Sequence, residues 1–543
     1  MDETRHGMSP RRPWRQIVSR VGAAMLLLVG CAEQPTDQSP EMEPTITYAA
    51  GVDQVTLNAG SAEGVSTRAD MLSARIYPGV FVWGPGGQFV PNTDIATAQL
   101  LPGAQRSAVY RINVDARYSD GVPLTCTDFL LAWRAQVTEG FAGFAPVYDQ
   151  VEKVFCEPGA RKFIVTFKED YGDRWQELFA TGQVLPSHTI AQRAGVSMEE
   201  LNDMLLTGDP STLAPIAEIW NTGFRLSSFD PTLAVASGPY QVVAVDPGVS
   251  VTLAANPQYL GDEPQTARIV IYAFGKEPSG NGELPAPDVA DLTWLTTVPW
   301  VHDAADTQVT TVTPQAGSLT DSLVLARGGL FADAANRRAF AACIDQQTVA
   351  AVSAEISGIE VHPVGARLVH TAGGEHGKLA DIAQAHIPAN MEAAAPLRGA
   401  VIRIGHLPGH RRYAAMVDAI AQSCAPAGVT VVDASDDYTS LGALQDEYGQ
   451  GNIDAFLTPL STREGFSRLA ADTDDPTMLR AEEQRLWEEV LTIPLADEPR
   501  VAIVHNTIGQ VVPNTAETGI GWNMDRWTIL APGKEKVTPN TGS

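Results

Sequence analysis

The stretch from residue 401 to residue 432 limits the fold more than any other part of the chain. Val401-Ile402-Arg403-Ile404 reads as a buried strand, and a loop from Gly405 to Gly409 leads out of it. From Arg411 to Ala425 the pattern is helical, with Met416, Val417, Ile420 and Cys424 on one face. Residues three and four apart share a helix face, so this helix has one side to bury. Ala427-Gly428 stops it, and Val429-Thr430-Val431-Val432 is the next strand. A strand, an amphipathic helix and a strand form a βαβ unit, which demands a partly parallel sheet covered by helices.

The same alternation runs through the rest of the chain. Residues 46–49, 54–57, 108–114 and 163–167 have the composition of strands. Residues 79–83 and 88–90 flank Gly84-Pro85-Gly86-Gly87 and predict a hairpin. Thr125-Cys126-Thr127-Asp128 has capping-box spacing, so a helix should follow through Val137. The fold class expected is α/β with mixed sheets. A chain of 543 residues is too long for one core, since domains usually hold about 100–200 residues. The formal net charge of −27 repels the phosphate backbone, so no nucleic-acid partner is expected. It also opposes lying flat on anionic lipid.

The first thirty residues carry Arg5, Arg11, Arg12, Arg15 and Arg20, then the short apolar run Ala23-Ala24-Met25-Leu26-Leu27-Leu28-Val29. A basic flank, a short apolar centre and a small residue form an export signal, and the run is too short to span a bilayer. Leu28-Val29-Gly30-Cys31 resembles the lipobox of bacterial lipoproteins. That resemblance implies cleavage after residue 30, lipidation of Cys31, and anchorage to the outer face of the cell membrane. Residues 31–45 are rich in Pro, Glu, Gln, Asp and Ser. They have little to bury and are expected to form a disordered tether, as are residues 536–543 a disordered tail.

Six further segments occur in a telling order. Tyr118-Ser119-Asp120-Gly121-Val122-Pro123-Leu124-Thr125 comes first, followed by Leu185-Pro186-Ser187-His188, Ser237-Gly238-Pro239-Tyr240 and Asn256-Pro257-Gln258-Tyr259. The run from Arg337 to Asp345 and Ile493-Pro494-Leu495 complete the series. Together they resemble the extracytoplasmic solute-binding proteins of ABC importers, in the large peptide-binding class called family 5. The resemblance implies a two-lobed periplasmic-binding-protein-like fold of type II with a central cleft. The large lobe would hold residues 46–275 and 496–535, and the small lobe residues 276–495. It also implies a monomer, a peptide or other small solute as ligand, and an ABC permease in the membrane as partner. Five cysteines are present, and the four after Cys31 allow three pairings in an oxidising compartment. Pairing Cys126 with Cys156 and Cys343 with Cys424 keeps each bridge inside one lobe, and is the pairing expected.

The small lobe departs from the family pattern. Peptide-binding relatives follow the strand matching residues 453–457 with a G-W-x-x-D-Y-x-D-P run, whose aspartate can pair with a peptide amine. Here the residues are Thr458-Pro459-Leu460-Ser461-Thr462-Arg463-Glu464-Gly465. Without the carboxylate, a buried peptide amine loses its main partner. A second resemblance bears on this. Residues 76–81 and Trp522-Asn523-Met524 resemble actinobacterial lipoproteins on the same fold. Those act in phosphatidylinositol mannoside and lipoarabinomannan assembly.

No HExxH, GxSxG, Walker or GxGxxG motif is present, so neither a catalytic residue nor a cofactor is expected. His406 and His410 are four apart, but Pro408 and Gly409 put them in a loop without an evident third ligand, so no metal is expected. That loop follows a strand's carboxyl end, where open α/β sheets bind ligands, and His406 is a candidate ligand contact. Trp294 and Trp300, near the expected lobe crossing, are candidates for stacking on ligand. Arg463 is a candidate partner for a carboxylate or phosphate. Asn58 follows an early strand that lines the cleft in relatives. Glu482-Glu483 and Glu488-Glu489 alternate with Leu486, Trp487, Val490 and Leu491, which predicts an amphipathic helix with a solvated acidic face.

Overall fold

A computed structural model describes residues 44–103, 105–273, 286–295, 309–369, 376–437, 439–446, 448, 450–461, 466–469 and 475–530. The segment read as an export signal, Cys31, residues 31–43 of the expected tether, Trp300, Arg463 and the expected tail lie outside the described residues, while Thr45, at the end of the expected tether, already opens a strand. No helix among the described residues is long and apolar enough to cross a membrane.

The α/β expectation holds. One mixed ten-stranded sheet runs through the molecule. At one end Val401–Gly405 pairs in parallel with both Thr430–Asp433 and Ala455–Ser461. The helix Arg411–Cys424 joins the first two of these strands, so the βαβ unit forms as its pattern predicts. Towards the other end, Thr45–Ala50 pairs in parallel with Arg268–Ala273 and Val289–Leu292. Two long strands, Val309–Leu325 and Thr492–His505, pair antiparallel and connect the two ends. A second, four-stranded antiparallel sheet contains Ser107–Ile112 and Lys162–Phe167 at its centre. The hairpin forms from Phe81–Trp83 and Phe89–Pro91.

Residues 54–57 do not form a strand. They make a single antiparallel bridge, Thr56 to Arg225. The chain turns instead, because the Asn58 side chain accepts from the Gly60 amide at 3.1 Å and donates to the Trp220 carbonyl at 2.9 Å. Local side-chain bonds of this kind compete with ladder formation.

Buried apolar residues gather in two main clusters. One is built from residues 46–289 with a return contribution from Val504, Ile520, Met524 and Trp527. The other uses residues 323–496. Each contains one disulfide. Cys126 joins Cys156 with Cα atoms 5.6 Å apart, and Cys343 joins Cys424 at 4.8 Å.

The motif segments are bonded to one another. The Asp128 carboxylate closes the capping box of the helix Cys126–Val137, and it also accepts from Ser187 at both amide and hydroxyl. His188 Nε2 lies 2.8 Å from Asp120. The Ser119 amide donates to Ala236, and the Asn256 side chain to Gly238. These residues fasten one part of the scaffold, as their turn and cap chemistry suggests.

The helix Pro476–Glu489 corrects another expectation. Glu482 and Glu483 do not face solvent. Glu483 is fully buried, accepts the amides of Arg367 and Leu368, and pairs with the Arg367 guanidinium at 3.2 Å. Glu482 pairs with Arg485 at 2.8 Å and accepts the Arg468 amide. The alternating pattern placed apolar residues inside, but could not show that a neighbouring loop covers the acidic face.

Candidate functional site

Residues 144–149 are the spine of the site. Phe144 donates its amide to the Gly60 carbonyl, and Pro146 opens the short turn Pro146–Gln150. Tyr148 anchors this turn: its hydroxyl donates to Gln183 at 2.9 Å and accepts the Phe179 amide at 2.8 Å. Three adjoining cavities, of about 100, 340 and 380 Å³, meet along this spine, and Pro146 lines all of them. Each also draws residues from the second half of the chain: Pro459 and Glu517 in the first, Arg327 and Arg468 in the second, Val324 and Leu441 in the third. They form a groove between distant parts of the chain, the usual setting for a small-molecule site. Two polar bonds tie its sides together: the Leu441 amide to Ser66 at 2.9 Å, and Arg174 Nη1 to the Ser467 carbonyl at 2.8 Å.

The first cavity has an aromatic wall and a charged floor. The hairpin supplies Phe81, Trp83 and Phe89, and the spine supplies Phe144. The floor starts at Arg68, which adopts φ 57°, a left-handed conformation unusual for a residue with a side chain. Its guanidinium reaches Glu498 at 3.0 Å, the Glu517 carbonyl at 2.8 Å and Asp70 at 3.6 Å. Arg500 continues the network to Asp291 at 2.5 Å and to Glu498 at 3.3 Å. Burial pushes the Asp70 carboxyl up to about 6; Arg68 opposes the shift and Glu517 adds to it. Asp291 is also pushed up by burial, against the pull of Arg500.

The second cavity is lined by arginines in two different states. Arg174 grips Glu177 with two nitrogens, at 3.0 and 2.6 Å, and Arg485 pairs with Glu482 and Glu489. Arg327 lies over the Phe466 ring at 5.2 Å, and Arg468 over Tyr171 at 5.6 Å. The third cavity mixes the apolar side chains of Phe144, Val324, Leu441 and Leu444 with the polar ones of Gln136, Asp149, Gln445 and Asp446.

Of the residues singled out from sequence, the three that are described, Asn58, Trp294 and His406, do not line this groove. Asn58 is buried one position before Ala59, which does line the first cavity. Trp294 is buried in a small cluster with Leu292, Val501 and Ile503. His406 is buried, with Nδ1 2.7 Å from the Leu407 carbonyl and Nε2 3.1 Å from Asp433. His410 lies 3.5 Å from Asp53. No group of three metal-ligating side chains occurs among the described residues. Sequence reading missed the aromatic wall, although Phe81, Trp83 and Phe89 sit on one predicted hairpin. The floor left no such signal, since Arg68 and Glu517 are far apart along the chain.

Comparison with known proteins places the fold. Residues 104–463 match the model of the bacterial extracellular solute-binding proteins, family 5. The chain belongs to that family. An uncharacterized lipoprotein of Mycobacterium tuberculosis is 28% identical over 96% of this chain and 100% of its own length. A second relative from that species is a probable monoacyl phosphatidylinositol tetramannoside-binding protein, LpqW. It is 24% identical over 63% of this chain and 53% of its own length. Among solved structures, the oligopeptide-binding protein of Thermus thermophilus with a pentapeptide superposes with a TM-score of 0.64. It is 14% identical and covers 89% of this chain and 96% of its own. That likeness establishes a periplasmic-binding-protein fold, as the sequence motifs imply.

Proposed function

We propose that this chain is a lipid-anchored, extracytoplasmic solute-binding protein that delivers a peptide or related small solute to an ABC permease. The groove along residues 144–149 carries the reading, because residues from both main clusters line it and a ligand there would touch both. In this reading residues 46–275 and 496–535 form the large lobe and residues 276–495 the small one. Ligand draws them together by a hinge motion, as in other periplasmic binding proteins. The closed form is what the permease engages. Cys31 holds the protein, as a monomer, at the outer face of the membrane. The protein supplies binding without turnover.

A second reading has its own support. The similarity to the tetramannoside-binding relative, together with the sequence of residues 458–465 in place of the peptide-amine motif, favours a role in cell-envelope glycolipid assembly. Thermal-shift measurements on the protein without its lipid separate the two. A ligand at a hundredfold excess over its Kd stabilises the folded form by about 2.7 kcal/mol. Di- to pentapeptides raising the melting temperature support import. A response confined to phosphatidylinositol mannosides supports the glycolipid role and overturns import.

A further inference from the structure

Negative charge outnumbers positive beneath the first cavity among the described residues. Asp70, Glu517 and Arg68 line it, and Asp291, Glu498 and Arg500 lie behind them in the same network, which makes four carboxylates to two guanidiniums. All four lie close to the two arginines or to one another. Glu498 is shared between both arginines, and Arg68 donates to the Glu517 backbone carbonyl. The second observation concerns unmet acceptors. Glu517 Oε2 and Thr518 Oγ1 are buried without a hydrogen-bond partner, and both residues line the cavity. Thr518 is only 4% exposed. Buried acceptors left without a donor are costly, and a carboxylate oxygen more so than a hydroxyl. The third observation is the aromatic lining. Phe81, Trp83, Phe89 and Phe144 also line the cavity, and aromatic rings attract cations.

Excess negative charge, unmet acceptors and aromatic side chains around about 100 Å³ call for one kind of occupant. We propose that the first cavity binds the cationic head of the ligand: a primary ammonium group, donating to Glu517 and Thr518 and packed among the Trp83, Phe89 and Phe144 rings. The inference rests on the solute-binding reading and names a chemical class for part of its ligand. It also assigns this chain a carboxylate at a place other than residues 458–465. Two features fit the proposal. Arg68 holds a left-handed backbone conformation at the floor, and strain of this kind gathers at ligand clamps. Asp70, facing Arg68, Arg500 and Glu517, titrates at about 6. A bound cation favours its ionised form, so binding and proton release are linked.

The test uses methylammonium chloride as a minimal cation, with methanol as an uncharged probe of similar size and sodium chloride as the salt control. Affinity is read from melting temperature and from tryptophan fluorescence. Methylammonium should bind at pH 8, and at least about fivefold more weakly at pH 5, where Asp70 holds its proton. Glu517→Gln should weaken binding at least tenfold. Trp83→Leu leaves the charges alone and should weaken binding at least threefold, which keeps the test decisive if the first variant folds poorly. Equal responses to the three additives, or methylammonium binding that survives both substitutions in folded protein, overturn the proposal. If peptides or glycolipids stabilise the protein while no cation does, this inference falls and the solute-binding reading stands. If no solute of any class binds, both fall.

Discussion

Replacing Arg412 by Met removes the cation that faces Asp321. Asp321 is fully buried on the strand Val309–Leu325, and Arg412 reaches both of its oxygens from the first turn of the helix Arg411–Cys424. Arg412 also donates to Ser353 at 3.1 Å. Burial raises the Asp321 carboxyl to about 6 even with Arg412 beside it. The sign of the pH effect follows. A folded pKa above the unfolded value, near 3.9, means that ionising Asp321 costs stability as pH rises, and that the cost vanishes below both values. A protein unable to ionise Asp321 must hold a proton there, which costs about 5 kcal/mol at pH 7.5. Wild type, ionising at about 6, already bears roughly 3 kcal/mol of this. The charge-dependent loss in Arg412→Met is therefore about 2 kcal/mol at pH 7.5 and close to zero at pH 5. Lost hydrogen bonds and packing add a loss that does not vary with pH. Together they stay within the roughly 3–5 kcal/mol typical of breaking a buried pair. Urea denaturation of wild type, Arg412→Met and Asp321→Asn/Arg412→Met at both pH values measures this. The double variant should lose the pH-dependent part. A loss in Arg412→Met that is equal at the two pH values, or larger at pH 5, refutes the reasoning.

Other outcomes follow from the same structure. Reducing or replacing the Cys343–Cys424 bridge, which closes 81 residues, should cost about 4.5 kcal/mol in the chain-entropy account. The Cys126–Cys156 bridge, closing 30 residues, should cost about 3.7 kcal/mol. Denaturation of the two pairwise Cys→Ser variants tests both the magnitudes and the order. Glu483→Gln should destabilise by about 3 kcal/mol, because it leaves the buried Arg367 guanidinium without its carboxylate; a change under about 0.5 kcal/mol would contradict this. Cys31→Ala should yield protein that is folded but recovered free of membranes after fractionation. Variant that remains in the membrane pellet would count against lipid anchorage at that residue.

The local architecture was legible because its signals are local. The period of apolar residues in 401–432 specifies a helix between strands, and the capping box at residues 125–128 starts a helix where spacing says it should. Such patterns depend on backbone geometry alone and survive whatever surrounds them. The motif residues also kept their expected roles, since a turn or a cap is made by neighbours in sequence. Residues 54–57 show the limit: strand-forming side chains turned away from a sheet because Asn58 found partners near Trp220.

The groove was not legible, for a related reason. Its charged floor joins Arg68 to Glu498 and Glu517, and no periodicity connects residues so far apart in sequence. Exposure is likewise a property of what packs on top. Glu483 looks like a solvated helix position until the loop at Arg367 covers it, and His406 looks like a cleft residue until Asp433 closes over it. By itself the sequence determined the class of fold and its motif knots. Only the tertiary structure decided which carboxylates are buried, which are paired, and which face the aromatic cavity. Burial and pairing set the cost of a charge, and both arise only when distant segments meet.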